Sequence, residues 1–250
     1  MIEEGFINGE SLIHRLDPRG RILVAAAFSM VVAVSDRLSS LIPALLLSLC
    51  LIWIAGLPWK KVLSRLLIVN GMIFLVWVFL PFAMEGAPLF SVGPLVATRE
   101  GTGYALLITL KSNAIILALM ALMATMSVFT LGRAMRHLRV PTKIVQLFFF
   151  TYRYIHVIHS ETNRMLRTIK SRGFRPGNNL HTYRTYAYLV GMLLIKSQER
   201  AERVRAAMLC RGFRGNFYDL SEPAFRISDW LTVGLMLLTV AGIAFLEWGT

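Results

Sequence analysis

The clearest chemical pattern in the sequence is a pair of arginines, each followed by glycine and phenylalanine. Arg172-Gly173-Phe174 is answered 39 residues later by Arg211-Gly212-Phe213. The arginine guanidinium is permanently charged and presents its N–H donors as a planar fork, so it makes strong charge-assisted hydrogen bonds to a partner. The repeat therefore predicts two equivalent docking sites.

The similarity extends back along the chain from each motif. The matching pairs are Arg164 with Arg203, Met165 with Val204, and Ile169 with Met208. A simpler interpretation is that each motif is a helix C-terminal cap, with a left-handed glycine, a phenylalanine that folds back, and an arginine beside the negative helix end. A cap explains the glycine and phenylalanine but not the recurrence of the whole context, which favours a docking role in addition.

Two histidines three positions apart, His156 and His159, are the candidates for metal binding. No third ligand is obvious and Arg153 is nearby, so we interpret them as polar packing positions and predict no metal site. The sequence also lacks the Gly-x-x-x-x-Gly-Lys-Ser/Thr phosphate loop. We therefore expect no cofactor on this chain, and any ATP must bind to partner subunits.

Three methionines at helical spacing form a further candidate surface: Met120, Met123 and Met126. A flexible methionine surface would suit a sliding contact with a partner. Ordinary helix packing or lipid contact explains the same spacing and is the commoner case.

Two long helices must position the arginine motifs. The first follows Pro141 and has apolar residues at spacings of three and four until Gly173; the second begins near Tyr183 and ends at Gly212. Each is apolar in its first half and amphipathic in its second. This pattern predicts that the helices start against the membrane part and end against another protein.

The rest of the chain predicts a membrane protein, because 56% of its residues are hydrophobic and only 16% are charged. We predict an all-α polytopic fold of about five transmembrane helices, with two long cytoplasmic helices inserted before the last span. The spans, each judged against the roughly 20 apolar residues that cross a bilayer, are predicted at residues 20–35, 38–57, 66–84, 104–129 and within 229–250. The first is short. Lys111, inside the fourth, can extend outward to the interface.

The cations are concentrated in one insert. Residues 127–229 hold 18 Lys and Arg against 6 Asp and Glu, in a chain whose formal net charge is +13. The positive-inside rule then places the N-terminus and the insert in the cytoplasm and the C-terminus outside. The predicted organisation is a membrane region at 1–129, a coupling domain at 130–228 and a last span at 229–250, in the plasma or inner membrane.

At these residues the chain resembles the T component of energy-coupling-factor (ECF) transporters, most closely the CbiQ-like proteins of cobalt and nickel uptake. The resemblance covers nearly the full length and includes Arg15-Leu16-Asp17-Pro18-Arg19 and the block from Phe148 to Ile155. In that family two coupling helices end in Ala-Arg-Gly motifs whose arginines bind ATPase subunits. The matching positions are Ser171-Arg172-Gly173 and Cys210-Arg211-Gly212, with small residues in place of alanine.

The resemblance implies a non-catalytic subunit with several partners. These are two ATP-binding-cassette ATPases, a substrate-binding membrane S component that is CbiM-like if the solute is a metal, and membrane lipid. The expectation that the transported solute is cobalt or nickel rests on the resemblance alone. The alternative is a vitamin-type importer. An alternative function of another class is that of an integral membrane enzyme with a basic cytoplasmic face. Such an enzyme would need an acid, histidine or metal cluster, which the sequence does not offer. Nucleic-acid binding is not expected, since no recognised motif accompanies the cations.

Overall fold

The computed structural model describes residues 16–84, 87–92, 95–215 and 227–249. These residues form two compact units that divide between Ala134 and Met135. The first unit contains the described residues up to Ala134 together with the last helix. The second contains Met135 to Gly215. The division falls close to the boundary predicted after residue 129.

Eight helices and one antiparallel β hairpin occur in the described residues. They are α1 (Pro18–Val34), α2 (Leu38–Ala55), α3 (Trp59–Ala83), β1 (Pro88–Val92), β2 (Leu95–Thr98), α4 (Arg99–Leu122), α5 (Val128–His137), α6 (Thr142–Ser171), α7 (Leu180–Cys210) and α8 (Ile227–Trp248). The all-α polytopic class is confirmed. The short hairpin joining α3 to α4 was not predicted.

Four helical segments are long and apolar enough to cross a bilayer. They are Leu38–Ala55, Trp59–Ala83, Arg99–Leu122 and Trp230–Trp248. The first predicted span corresponds to α1, whose 17 residues extend about 25 Å, less than the roughly 30 Å of a hydrocarbon core. Its crossing therefore stays a prediction. Neither α6 nor α7 is among the four, as expected from the arginine within the first of these helices.

Two helices have bounds that differ from those of the predicted spans. The fourth span was predicted to continue to residue 129, but α4 ends at Leu122 and a turn separates it from α5. The hydroxyl of Thr125 in that turn accepts a hydrogen bond of 3.4 Å from buried Arg21 of α1. The third span begins at Trp59 instead of residue 66, so Lys60 lies in its first turn.

The core of the first unit lies between α1, α2, α4 and α8. Phe28 of α1 is buried against Leu41 of α2, Ala118 of α4 and Val240 of α8. Lys111 of α4 reaches the α1–α2 connection, where its Nζ lies 2.8 Å from Asp36 Oδ1. The predicted outward extension of Lys111 thus ends in an ion pair.

The second unit is built on α6 and α7. The proline at 141 directly precedes the first residue of α6, whose 30 residues span about 45 Å. At the start of α7 the Asn179 side chain accepts a hydrogen bond of 2.9 Å from the Thr182 amide. This asparagine cap places the start at Leu180, slightly before the predicted Tyr183.

Candidate coupling site

The end of α6 is a Schellman cap. Gly173 has a φ of +83°, and its amide donates to the Lys170 carbonyl at 3.0 Å, while the Phe174 amide donates to the Ile169 carbonyl at 3.2 Å. These are the two hydrogen bonds that define this cap. The left-handed glycine follows the prediction, and it turns the chain away immediately after Arg172.

The end of α7 has the same cap in the same register. Gly212 has a φ of +78°, its amide donates to the Leu209 carbonyl at 2.9 Å, and the Phe213 amide donates to the Met208 carbonyl at 3.0 Å. The preceding arginines also match, with φ and ψ of −85° and 14° at Arg172 and −87° and 11° at Arg211. The sequence repeat is therefore a repeat of backbone geometry.

Both motif arginines are exposed and available to a partner. Neither the Arg172 nor the Arg211 guanidinium makes an ion pair or hydrogen bond within the described part of the chain. Ser171 and Cys210, which precede them, are exposed as well, and the Ser171 hydroxyl donates to the Thr168 carbonyl at 2.8 Å. The caps therefore present two unneutralised cations on ordered backbone.

The residues around the caps repeat their exposure too. The half-buried pairs are Met165 with Val204, Ile169 with Met208, and Phe174 with Phe213, whereas Arg164 and Arg203 are both exposed. Arg164 lies 3.7 Å from a Glu161 carboxylate oxygen, and Arg203 lies 3.7 Å from one of Glu199. Arg164 and Arg203 thus each form an ion pair with a glutamate of their own helix.

The two phenylalanines differ in what they contact. The Phe174 ring packs edge-on to Tyr186 of α7, with centroids 5.8 Å apart, and also lies near His181. Phe213 instead lines a groove between α6 and α7 together with Phe150 and Met208. The two ends are therefore equivalent in backbone and in arginine presentation but not in their support.

This groove is mainly apolar, with a volume of about 730 Å³. Its charged lining residues include Glu161 of α6 and, from α7, Lys196, Arg200 and Arg205. The Lys196 ammonium donates to Glu161 at 2.5 Å. That hydrogen bond, with the charges of Lys196, Arg164 and Arg200, holds the pKa of Glu161 below its usual value. Sequence reasoning missed this cross-helix pair; the sole acid between residues 133 and 198 was the available signal.

Two of the three methionines at helical spacing lie in the protein interior. Met120 and Met126 are buried, and α4 ends before Met123, whose amide closes the last turn on the Leu119 carbonyl. Met120 belongs to the core that includes Leu51 of α2. Ordinary packing, the other interpretation of this spacing, accounts for these positions.

The two histidines of α6 contact neighbours on their own helix. His156 packs edge-on to Tyr152, and the His159 Nε2 lies 3.0 Å from the Asn163 amide nitrogen. Among the described residues no three His, Cys, Asp or Glu side chains cluster closely enough to hold a metal ion. The integral membrane enzyme therefore gains no candidate centre in this part of the chain.

The two helix ends lie within a match to a known protein family. The family model described as CbiQ, cobalt transport protein, matches residues 9–220. The chain belongs to the CbiQ family. The match includes α6, α7 and both caps together with α1 to α4, and it confirms the resemblance seen in the sequence.

Several curated relatives carry one name, energy-coupling factor transporter transmembrane protein EcfT. The protein of Streptococcus equi subsp. equi is 25% identical, over 95% of this chain and 93% of its own. That of Thermosediminibacter oceani is 27% identical over 84% and 83%, and that of Exiguobacterium sibiricum is 27% identical over 96% and 95%. This CbiQ-family chain is thus a multi-pass, non-catalytic membrane component of a transporter, similar along most of its length to ECF T components.

Proposed function

We propose that this CbiQ-family chain is the coupling T subunit of an ECF-type ATP-binding-cassette importer. It transmits the ATP-driven motion of two cassette ATPases to a membrane subunit that binds the solute. The observation that carries the proposal is the pair of matching caps, each presenting an exposed, unneutralised arginine. Two equivalent ATPase subunits need two equivalent contacts, and Arg172 and Arg211 supply them.

The proposed coupling mechanism depends on the rigidity of α6 and α7. ATP binding draws two cassette subunits together, and each holds one helix end through a charge-assisted contact with Arg172 or Arg211. Because α6 and α7 are long continuous helices, an approach of their ends changes the angle between them. That change is passed to the membrane helices and to the S component. ATP and solute bind to the partner subunits, and this chain supplies no nucleotide loop.

Cobalt or nickel is the solute that we propose. The description of the family as a cobalt transport protein supports it. A metal-binding S component of the CbiM kind would then be the membrane partner. A vitamin-type importer is the second candidate, favoured by relatives named after the general ECF transporter rather than after a metal.

We also propose that the N-terminus and the second unit lie in the cytoplasm and the C-terminus outside. The surplus of cations in residues 127–229 supports this orientation. The proposal requires α1 to cross the bilayer with the four longer spans. Its burial among α2, α4 and α8 supports a position inside the membrane bundle.

The test is purification of the chain with cassette ATPases and an S component, followed by ATP-dependent uptake in vesicles. Replacing both motif arginines, Arg172→Ala with Arg211→Ala, should weaken ATPase binding by about tenfold or more, because each loses a charge-assisted contact. Arg167→Ala, which removes another exposed cation of α6, is the matched control. Undiminished assembly and uptake in the double variant would contradict the proposal. Uptake of radioactive cobalt, nickel and a vitamin, measured separately, distinguishes the solutes.

A further inference from the structure

Glu161 has a second potential partner one helical turn beyond its present one. Lys196 and Arg200 are four residues apart on α7, which separates them by about 6 Å along the helix. Both line the groove that Glu161 also lines. Arg200 is half-buried and its charge already acts on the Glu161 carboxylate, although its guanidinium lies within 4 Å of no described carboxylate.

The cluster of Glu161, Lys196 and Arg200 lies well before the C-terminal end of each helix. From Glu161 to Arg172 α6 extends about 16 Å, and from Lys196 to Arg211 α7 extends about 22 Å. A change of about 10° in the crossing angle moves ends at these distances by about 3 to 4 Å. A change in the crossing angle about this cluster therefore moves both arginine motifs.

We propose that Glu161 is a positioning residue that exchanges its ion pair from Lys196 to Arg200 when the angle between α6 and α7 changes. The inference rests on the proposed coupling function and adds to it a specific device with two defined arrangements. Packed helices shift past each other by about 1 to 2 Å, and in the larger transitions by a full turn of about 5 Å. A carboxylate that is paired before and after such a step avoids the cost of standing unpaired in a half-buried groove.

The side chains around Glu161 favour exchange over a fixed pair. Its side chain is 14% exposed, whereas that of Lys196 is 42% exposed, so the acid is held in the groove while the lysine retains access to water. Arg164 contacts the second carboxylate oxygen at 3.7 Å from the same helix. Since Arg164 moves with Glu161, it stabilises the charge in both arrangements and selects neither.

The experiment uses the full complex, purified through its ATPases and reconstituted in vesicles. Glu161→Gln and Arg200→Met should each lower the amount of solute transported per ATP hydrolysed, by about threefold to fivefold. Their combination should lower it no further than Glu161→Gln alone, because Arg200→Met removes an interaction that Glu161→Gln already removes. Arg205→Met, which removes another cation lining the groove but not one acting on Glu161, is the matched control and should transport normally.

A distance measurement separates exchange from a merely structural role. Spin labels at the exposed, uncharged positions Asn163 and Gln198 are introduced through a non-natural amino acid, because Cys50 and Cys210 are both exposed. The unsubstituted complex should give one narrow distance without nucleotide and a second one with ATP trapped. Arg200→Met should retain the first and broaden the second.

Two results would overturn the inference. One is an Arg200→Met complex with normal transport per ATP and two narrow distances. The other is a Glu161→Gln chain that no longer copurifies with the ATPases, which would make the ion pair an element of the fold. Failure of the unsubstituted chain to bind ATPases would instead contradict the proposed function itself, so the two failures are distinguishable.

Discussion

The carboxylate of Glu247 in α8 caps the beginning of α2 by accepting a hydrogen bond of 2.6 Å from the Ser40 hydroxyl, 207 positions earlier in the chain. The same carboxylate accepts hydrogen bonds from the Asp36 and Arg37 amides, at 2.9 and 3.3 Å. Arg37 makes no side-chain cap of its own at this helix start. A residue of the last helix thus performs the capping that α2 lacks, and the negative charge is placed at the positive helix end.

Replacing Glu247 by Ala should destabilise the membrane unit by about 2 to 3 kcal/mol, because the buried Ser40 hydroxyl and the Asp36 and Arg37 amides lose a charged acceptor. Glu247→Gln keeps one acceptor oxygen and should cost less. The measurement is the thermal unfolding midpoint of the detergent-solubilised chain. Glu199→Ala, at an exposed carboxylate of α7, is the control and should leave the midpoint nearly unchanged. Equal midpoints for Glu247→Ala and this control would refute the capping role.

The glycines of the two Arg-Gly-Phe motifs yield a second prediction. Gly173→Ala and Gly212→Ala place a side chain at a φ near +80°, where alanine is strained, although an added Cβ would meet no atom within 4 Å. Each should loosen the last helical turn by about 1 kcal/mol. Hydrogen exchange of the Phe174 and Phe213 amides measures the effect directly, as faster exchange.

Gly177→Ala is the matched control for these two variants. Gly177 lies in the connection after α6 but does not have a positive φ, and an added Cβ would make an ordinary contact of 3.7 Å. In Gly177→Ala the Phe174 amide should exchange its hydrogen as slowly as in the unsubstituted chain. Slow exchange at Phe174 in Gly173→Ala would show that the left-handed glycine is not what maintains the cap.

The caps and the spans could be predicted because they are specified locally. An Arg-Gly-Phe sequence after an amphipathic run contains the signal for a Schellman cap, and four of the predicted spans correspond to helices that are apolar over their own length. What could not be predicted depends on distant partners. The apolar run continues past Leu122, yet α4 ends there, beside a Thr125 whose hydroxyl contacts Arg21, 104 positions away.

The same limit applies to the candidate site. The arginines at 172 and 211 were identified because repetition is visible in sequence. The Glu161–Lys196 pair was not, because it depends on how far α6 and α7 are displaced along each other, and apolar periodicity does not determine that register. The sequence also left two interpretations of Met120 open, since helical spacing alone does not say whether a face meets a partner, lipid or the protein's own core.

The Glu161 ion pair predicts a pH dependence with a definite sign. The pKa of the folded group lies below its usual value of 4.5, chiefly because of the hydrogen bond from Lys196. The folded state therefore binds this proton less readily than the unfolded state does. The contribution of the pair is complete above about pH 4.5 and is lost as the pH falls through the lower folded value.

The check is the difference in thermal midpoint between the unsubstituted chain and Glu161→Gln, measured from about pH 7 down to about pH 3. The difference should be constant near neutrality and shrink below about pH 4.5, because Lys196, Arg164 and Arg200 stay charged throughout and only the carboxylate titrates. A difference that persists undiminished at the acidic end would mean that the introduced glutamine perturbs the groove by its shape rather than by its missing charge.

A pair of asparagines joins α3 to α4 within the membrane unit and yields the last prediction. The Asn70 amide donates to the Asn113 carbonyl oxygen at 3.2 Å, and the Asn113 amide donates back at 3.0 Å. Polar side chains hold membrane helices together at about 0.6 to 2 kcal/mol for each interaction. Asn113→Ala removes the reciprocal partner of the half-buried Asn70 amide, and Asn70→Ala leaves the Asn113 amide with its hydrogen bond of 2.8 Å to the Thr109 carbonyl alone. The double substitution removes both groups. The double-mutant cycle should therefore give a coupling energy of about 1 kcal/mol, measured by thermal or denaturant unfolding in detergent.

The control is the nearby hydrogen bond of 2.9 Å from the Trp77 indole to the Thr109 hydroxyl, which joins the same two helices. Its hydrogen bonding runs in one direction only, whereas the two asparagines each donate to the other. Additive effects of Asn70→Ala and Asn113→Ala would show that the two amides do not depend on each other for the α3–α4 contact.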